Sequence, residues 1–232
     1  MNGVSPLLWL WAPLAAAAVV LSAEWGMSRD ALAYFYAENG PCELLQFVVV
    51  FVAFLAAVRL LARMDRKADP WLFAWIAIAA LGSFYIAGEE VSWGQQFLHW
   101  STPADWAAIN DQDETNLHNT SSWLDQKPRW LLQAGMVAGG LLVPAIRRVR
   151  PGLLPARFGM IYPSGGIAVT AGAALVLKLA ETVCRAVSGG TLFYRSSEVM
   201  EFYMFYFVLL YLLDFKVRLA ARGSLVSPQQ ER

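Results

Sequence analysis

The chain has few charged residues and few histidines, and each shortage excludes a class of protein. Charged residues make up 16% of its 232 residues and hydrophobic ones 57%, which is too apolar for an ordinary soluble domain. Eighteen basic residues balance eighteen acidic ones, so no charge excess favours a nucleic-acid partner. Two histidines are too few for a histidine-rich metal or haem centre. The sequence also lacks a glycine-rich phosphate loop and a Gly-x-Ser-x-Gly nucleophile motif.

Long apolar blocks instead predict an all-α polytopic membrane helix bundle of about six spans, forming a single membrane domain over residues 1–232. Each block has about the length that a helix needs to cross a bilayer. The predicted spans are 7–23, 43–61, 71–87, 130–146, 161–184 and 198–215. The first block could instead be a cleaved secretory signal, because Leu21-Ser22-Ala23 ends in small residues. It lacks the basic start of such a signal, which favours a retained helix.

Basic residues gather at one end of the predicted bundle and indicate its orientation. They follow the second, fourth and sixth blocks: Arg59, Arg63, Arg66, Lys67, Arg147, Arg148, Arg150, Arg157, Lys216, Arg218 and Arg222. Lys and Arg concentrate in cytoplasmic loops of membrane proteins. We therefore expect a multi-pass protein of a bacterial inner membrane with both termini in the cytoplasm.

The connection 89–129 lies on the opposite, outer side and is predicted to form an interfacial helical cap. It is too long for a bare loop and too rich in tryptophan for a disordered linker. Aromatic residues of this kind suit short helices at the level of the lipid headgroups. The run from Ser101 to Asp105 contains a proline and resembles a helix start. Both histidines, His99 and His118, also fall in this cap.

Glu89 and Glu90 are the first candidate functional residues. They follow the apolar block 71–87 at the negative end of a helix dipole, where a carboxylate is disfavoured without a compensating partner. Neighbouring helical residues point about 100° apart. At most one of the two can therefore face a shared centre, while the other meets the cap or a neighbouring helix.

Other acids have structural as well as functional explanations. Glu43 and Glu198 fall in first turns of predicted helices, where the helix dipole favours a carboxylate. Glu201 shares a face with Glu198 and lies deeper, so it is a functional candidate. The segments Glu43-Leu44-Leu45-Gln46-Phe47 and Glu198-Val199-Met200-Glu201-Phe202 also echo each other. Glu181 has Arg185 four residues on and Lys178 three residues back, which predicts an intrahelical ion pair rather than a functional role.

The segment Glu114-Thr115-Asn116-Leu117-His118-Asn119 is the second dense polar cluster. In a helix, Glu114 and His118 would share a face at a spacing that suits a metal ion or an activated water. The predicted catalytic residues are Glu89, Glu90, His118, Asn119 and Glu201. The predicted ligands of a possible divalent metal ion are Glu90, Glu114, His118, Glu198 and Glu201.

Two resemblances rest on these motifs. Gly-Glu-Glu-Val-Ser-Trp-Gly-Gln together with Glu-Thr-Asn-Leu-His-Asn resembles a group of uncharacterised bacterial polytopic membrane proteins. The stretch 89–119 is also partly similar to glutamate-dependent intramembrane proteases of the CAAX-processing type. That family carries an Arg four positions after its second Glu, where this chain has Gly94. The similarity implies catalytic roles for Glu89, Glu90 and His118.

These residues favour a metal- or carboxylate-dependent membrane hydrolase or transferase acting on a lipid or lipid-linked substrate. A cation- or proton-coupled transporter and a non-catalytic assembly subunit remain alternatives. The expected partners are membrane lipids, with no nucleic acid, and the sequence does not indicate an oligomeric state. Cys42 and Cys184 both fall on the outer side, either as a disulfide or as two buried thiols.

Overall fold

A computed structural model describes residues 3–37, 40–109, 115–117, 120 and 122–223, and every regular element in these ranges is helical. Five helices are long and apolar enough to cross a membrane: Leu7–Gly26, Pro41–Leu61, Pro70–Glu89, Gln126–Val149 and Gly165–Ser188. The prediction of an all-α membrane helix bundle is therefore confirmed. The sixth predicted span belongs to a longer helix, Ser196–Ala221, which is not among those five.

Ten α-helices follow one another in these ranges. They are α1 (Ala12–Gly26), α2 (Arg29–Phe35), α3 (Pro41–Leu61), α4 (Pro70–Glu89), α5 (Gln95–Leu98), α6 (Ala104–Ala107), α7 (Ser122–Val137), α8 (Val143–Val149), α9 (Ala168–Ser188) and α10 (Ser196–Ala221). A π-helical turn, Leu7–Trp11, precedes α1, and another, Ala138–Leu142, joins α7 to α8. Both α3 and α4 begin with proline, whose missing N–H costs nothing in a first turn.

Helix α10 is the centre of the bundle. It packs against α3, α7 and α9, while α3 also packs against α4. Its aromatic and aliphatic side chains contribute to both buried apolar clusters of the molecule, including Tyr203 and Leu210 in one and Phe215 in the other. Neighbouring helices therefore cover α10 on several sides.

The basic loops meet at one end of the bundle, as the charge pattern predicts. Arg222 lies 3.2 Å from Asp69, so the chain after α10 contacts the α3–α4 loop. Gly3 lies against the side chain of Val217, so both ends of the described chain are at this basic end. Helices α3 and α10 begin, and α4 finishes, at the opposite end, which we call the acidic end.

Candidate functional site

Glu89 and Glu90 have different surroundings at the end of α4. The Glu89 Oε1 atom accepts a hydrogen bond of 2.6 Å from the Trp93 indole N–H, and its Oε2 atom accepts one of 2.7 Å from the Leu117 backbone N–H. Glu89 is buried. Its carboxylate therefore joins the end of α4 to the cap and orients both partners.

A tight turn at Ser92–Gly94 makes this connection possible. Ser92, Trp93 and Gly94 have φ angles of 45°, 55° and 101°. Residues other than glycine adopt this left-handed region at a cost of about 1–2 kcal/mol each. The turn reverses the chain so that the Trp93 ring packs on Gly88, where an added Cβ would lie 2.8 Å from the ring. The contacts of Trp93 with Gly88 and Glu89 stabilise this strained turn.

The two polar motifs interlock as one structural unit. The Thr115 backbone N–H donates to Gln95 Oε1 at 2.6 Å, and the Asn116 side-chain amide donates to Ser92 Oγ at 3.3 Å. Asn116 is fully buried. Gln95 also donates to Thr102 Oγ1 at 2.9 Å. The segment 115–117 is thus held directly over the end of α4, although it follows in the chain by more than twenty residues.

Four glutamates from three parts of the chain form the feature that we call the carboxylate cluster: Glu43 of α3, Glu90 after α4, and Glu198 and Glu201 of α10. Glu90 interacts electrostatically with the other three. Glu90 is 9% exposed, and burial raises its pKa well above the usual carboxyl range. The negative charges of Glu201, Glu43 and Glu198 raise that pKa further, whereas Arg129 lowers it.

Two arginines border the carboxylate cluster. The Arg129 Nε atom lies 2.8 Å from Glu201 Oε1, and the Arg195 guanidinium lies 3.9 Å from Glu198 Oε1. The N–H of Arg129 is not aligned along this contact, which is therefore an ion pair rather than a well-formed hydrogen bond. The Arg129 and Arg195 side chains are 37% and 46% exposed. Positive charge thus lies outside a more deeply buried negative cluster.

Gln46 is a functional candidate that the sequence analysis did not include. It is fully buried in α3, and its amide N–H₂ donates to the Glu198 carbonyl at 2.9 Å and to Glu198 Oε2 at 3.3 Å. Its Oε1 atom receives no hydrogen bond from any described residue. The echo between the starts of α3 and α10 was the available signal, because it aligned Gln46 with Glu201 in the two segments.

Glu114, His118 and Asn119, three of the predicted site residues, lie outside the described residues. Within the described ranges, no three His, Cys, Asp or Glu side chains are grouped to hold a metal ion. Carboxylates suit hard divalent cations, but Glu90, Glu198 and Glu201 do not form such a group by themselves. The metal site therefore stays a prediction that depends on Glu114 and His118.

The predicted Glu181–Arg185 ion pair is confirmed, with an N–O distance of 2.7 Å. Glu181 also accepts hydrogen bonds from the backbone N–H groups of Leu192 and Phe193, at 2.8 Å and 3.2 Å. It therefore holds the turn between α9 and α10. Both cysteines are free thiols; Cys42 is buried, as the alternative to a disulfide proposed, whereas Cys184 is only partly buried.

A polar cavity of about 240 Å³ also opens at the acidic end. Its lining includes Glu24, Arg29 and Tyr194. Both Glu24 oxygens accept from the Tyr194 backbone N–H, at 3.0 Å and 3.1 Å, and the Arg29 guanidinium lies 6.0 Å from the centre of the Tyr194 ring. The sequence pattern gave no indication of this cavity, because its residues come from three separate segments.

At the basic end, Asp214 is a buried acid that the sequence analysis did not consider. It accepts hydrogen bonds from the Ser164 backbone N–H at 2.9 Å, from the Ser164 hydroxyl, and from Arg218 Nε at 2.9 Å. Arg218 in turn donates to the Met160 carbonyl. These contacts attach the loop before α9 to α10. The loop explains why the fifth span starts at 165 rather than at the predicted residue 161.

Comparison with protein-family models, with curated proteins and with solved structures finds no match to this chain. The chemistry of the carboxylate cluster is therefore the basis for inferring a function. The cluster combines buried ionisable groups, flanking arginines and a cap fixed over the end of α4. A buried carboxyl group whose pKa is raised by burial and by neighbouring charges, as that of Glu90 is, is typical of functional sites.

Proposed function

We propose that the protein is a membrane enzyme, a hydrolase or transferase that acts on a lipid or lipid-linked substrate at the carboxylate cluster. The observation that carries the proposal is Glu90, a buried carboxylate that faces Glu43, Glu198 and Glu201 and receives no hydrogen bond from any described residue. A structural carboxylate is expected to be satisfied by donors, as Glu89 is. Glu90 instead has the environment of a group that exchanges protons.

The proposed roles follow from the surroundings of each side chain. In hydrolysis, ionised Glu90 takes a proton from water, the water oxygen bonds to the acyl or phosphoryl centre, and Glu90 returns the proton to the leaving oxygen or nitrogen. In transfer, an acceptor hydroxyl replaces the water. Arg129, paired with Glu201, supplies positive charge near the negative charge that develops on the substrate.

The exposed side chains of the cap support an amphiphilic substrate. Trp93, Phe97, Leu98 and Trp100 are exposed although they are large and apolar. Side chains of this kind bind at the boundary between headgroups and acyl chains. A lipid lying in that boundary would have its polar group beside the carboxylate cluster. With the basic loops in the cytoplasm, this site faces the outer side of a bacterial inner membrane.

The interior of α10 favours an enzyme over a transporter. Between Glu201 and Asp214, the buried residues of α10 are aromatic or aliphatic: Tyr203, Met204, Phe205, Tyr206, Phe207, Leu210 and Leu212. The two buried hydroxyls are engaged, since Tyr203 donates to the Pro13 carbonyl and Tyr206 to the Leu8 carbonyl. A transport path would need polar groups across this depth.

Lipid turnover by purified protein tests the proposal. Wild type, Glu90→Gln, Glu201→Gln and an Asp105→Asn control would each be incubated in proteoliposomes made from bacterial lipid extract, and the lipids followed by mass spectrometry. We expect a substrate and product pair that changes with wild type and the control. Glu90→Gln should turn over at least about 100-fold more slowly, the usual scale for losing a general acid–base group. Glu201→Gln should also be slower, because it removes the charge that pairs with Arg129. Full turnover by Glu90→Gln would refute the proposed site.

Metal analysis of the same preparations tests the predicted divalent ion. A stoichiometric ion that is lost in His118→Ala and Glu201→Gln would support the metal-assisted form of the reaction. Glu90 would then act beside a metal ion whose ligands include Glu114 and His118. Turnover that is unchanged by chelators, in protein without an ion, would leave Glu90 acting as a general acid–base group alone.

A further inference from the structure

We infer that the carboxylate cluster binds the primary ammonium group of a zwitterionic lipid headgroup, with the lipid phosphate held by the flanking arginines. This inference rests on the proposed function, because it names the substrate class of the same site. An acidic cluster alone would not specify a ligand. Two further features specify the ligand here: the Gln46 acceptor, and the exposed side chains of Arg129 and Arg195.

The first feature is an unused acceptor inside the cluster. Gln46 is fully buried, and its Oε1 atom receives no hydrogen bond from a described residue. Its N–H₂ group is bound to Glu198, so the amide orientation is determined and the carbonyl oxygen is the atom without a donor. A buried acceptor without a donor destabilises the folded protein. A ligand that brings N–H donors would remove this cost.

Glu90 supplies further acceptors on the side of α4. It is buried, receives no hydrogen bond from a described side chain and interacts electrostatically with Glu43, Glu198 and Glu201. An ammonium group has three N–H donors and one positive charge. Such a group would donate to Gln46 Oε1 and to carboxylate oxygens, and its charge would reduce the repulsion among Glu43, Glu90, Glu198 and Glu201. A quaternary ammonium carries the charge but has no N–H to donate.

The second feature is the position of the arginines. Arg129 and Arg195 contact Glu201 and Glu198 but have side chains that are 37% and 46% exposed. Guanidinium groups bind phosphate oxygens with a matching planar geometry. Negative groups inside and positive groups outside complement a headgroup whose ammonium is terminal and whose phosphate lies toward the glycerol. A phosphoethanolamine headgroup has this order of charges.

Lipid binding by the full-length protein tests the inference. Wild type in detergent would be titrated with phosphatidylethanolamine, phosphatidylcholine and phosphatidylglycerol of identical acyl chains, and binding followed by native mass spectrometry. A hydrogen bond to a charged group is worth about 1.5–3 kcal/mol. We therefore expect phosphatidylethanolamine to bind at least about tenfold more tightly than either other lipid. Equal binding of the three lipids, or preference for phosphatidylglycerol, would overturn the inference.

One variant and one soluble ligand sharpen the assignment. Gln46→Met preserves volume but removes the acceptor, so it should abolish the preference over phosphatidylcholine. A preference that survives in folded Gln46→Met contradicts the assigned contact; if that variant does not fold, the wild-type comparison decides. Free ethanolamine should compete weakly, because it lacks the phosphate and acyl chains, and competition as strong as that of the lipid would argue against a lipid ligand.

Turnover by Glu90→Gln and the lipid preference of wild type together separate the two proposals. Loss of turnover in this variant, combined with no lipid preference in wild type, would refute only the ammonium site. Retained turnover in this variant would refute the proposed function whichever lipid binds.

Discussion

Replacing Glu89 by Gln should loosen the cap, whereas the same replacement at Glu90 should leave the cap intact. Among the described residues, the Trp93 indole and the Leu117 backbone donate hydrogen bonds to Glu89. Glutamine has one oxygen and one N–H₂ group, so it can accept only one of these bonds. At the other position, its N–H₂ group would face the N–H group of the partner. Losing a charge-assisted bond and leaving a partly buried donor unpaired costs about 2–3 kcal/mol.

This cost converts into a measurable change at one backbone amide. Each 1.4 kcal/mol changes an equilibrium constant about tenfold, so the opening of the Leu117 amide to exchange should increase about 30-fold or more in Glu89→Gln. Hydrogen exchange of the cap peptides that contain residues 92–100 and 115–117, followed by mass spectrometry in nanodiscs, measures it. The thermal midpoint, followed by tryptophan fluorescence, should fall by about 4–12 °C, since 1 kcal/mol corresponds to about 2–4 °C in a protein of this size.

Glu90→Gln is the matched control, because it makes the same change one residue away. No described donor bonds to Glu90, and neutral glutamine lacks the charge that burial and Glu43, Glu198 and Glu201 oppose. Cap exchange should therefore be unchanged and the thermal midpoint equal or higher. Equal cap exchange in wild type and Glu89→Gln, or faster exchange only in Glu90→Gln, would refute the assignment of Glu89 to structure and Glu90 to function.

Three further predictions concern pH, the basic end and helix packing. Because the pKa of Glu90 is raised in the folded protein, ionisation of Glu90 opposes folding. The thermal midpoint of wild type should therefore decline as pH rises above the unfolded carboxyl pKa of about 4.3. Glu90→Gln should show a smaller decline. Asp214→Asn weakens a buried ion pair and should cost up to about 3–5 kcal/mol, measured as a lower thermal midpoint, while exposed Asp65→Asn should change little. Gly140→Ala should reduce the free energy of unfolding by about 1–3 kcal/mol and lower the thermal midpoint, because an added Cβ would lie 2.5 Å from the Ala171 Cβ. Gly172→Ala should leave the midpoint unchanged, because there is open space at its Cβ.

The spanning helices could be predicted because membrane insertion depends on local composition. A run of about 20 apolar residues satisfies the bilayer by itself, so α3 and α4 were predicted to within two residues of their observed ends. The Glu181–Arg185 pair was also predictable, since both side chains lie on one helix at a spacing of four residues. In contrast, the additional role of Glu181 in binding Leu192 and Phe193 depends on how the chain returns after Gly189, which spacing does not reveal.

The candidate site was only partly predictable. The sequence indicated that Glu89 and Glu90 must differ, because adjacent helical residues point in different directions, but not which one meets the cap. That choice depends on the left-handed turn at Ser92–Gly94 and on the docking of segment 115–117. Gln46 was missed because the echo between the starts of α3 and α10 was its only signal in the sequence, and that echo does not reveal the contact of Gln46 with Glu198 on another helix.

By itself, the sequence determined that this chain forms a helical membrane bundle with basic loops at one end and acids at the other. Hydropathy and charge act on each segment separately, so they can be summed along the chain without knowing its neighbours. Only the tertiary structure decided that Glu89 binds the cap, that Glu90 joins Glu43, Glu198 and Glu201, and that Gln46 is bound to Glu198. These are interactions between distant segments, whose energies depend on interatomic distances and on burial created by packing rather than on residue order.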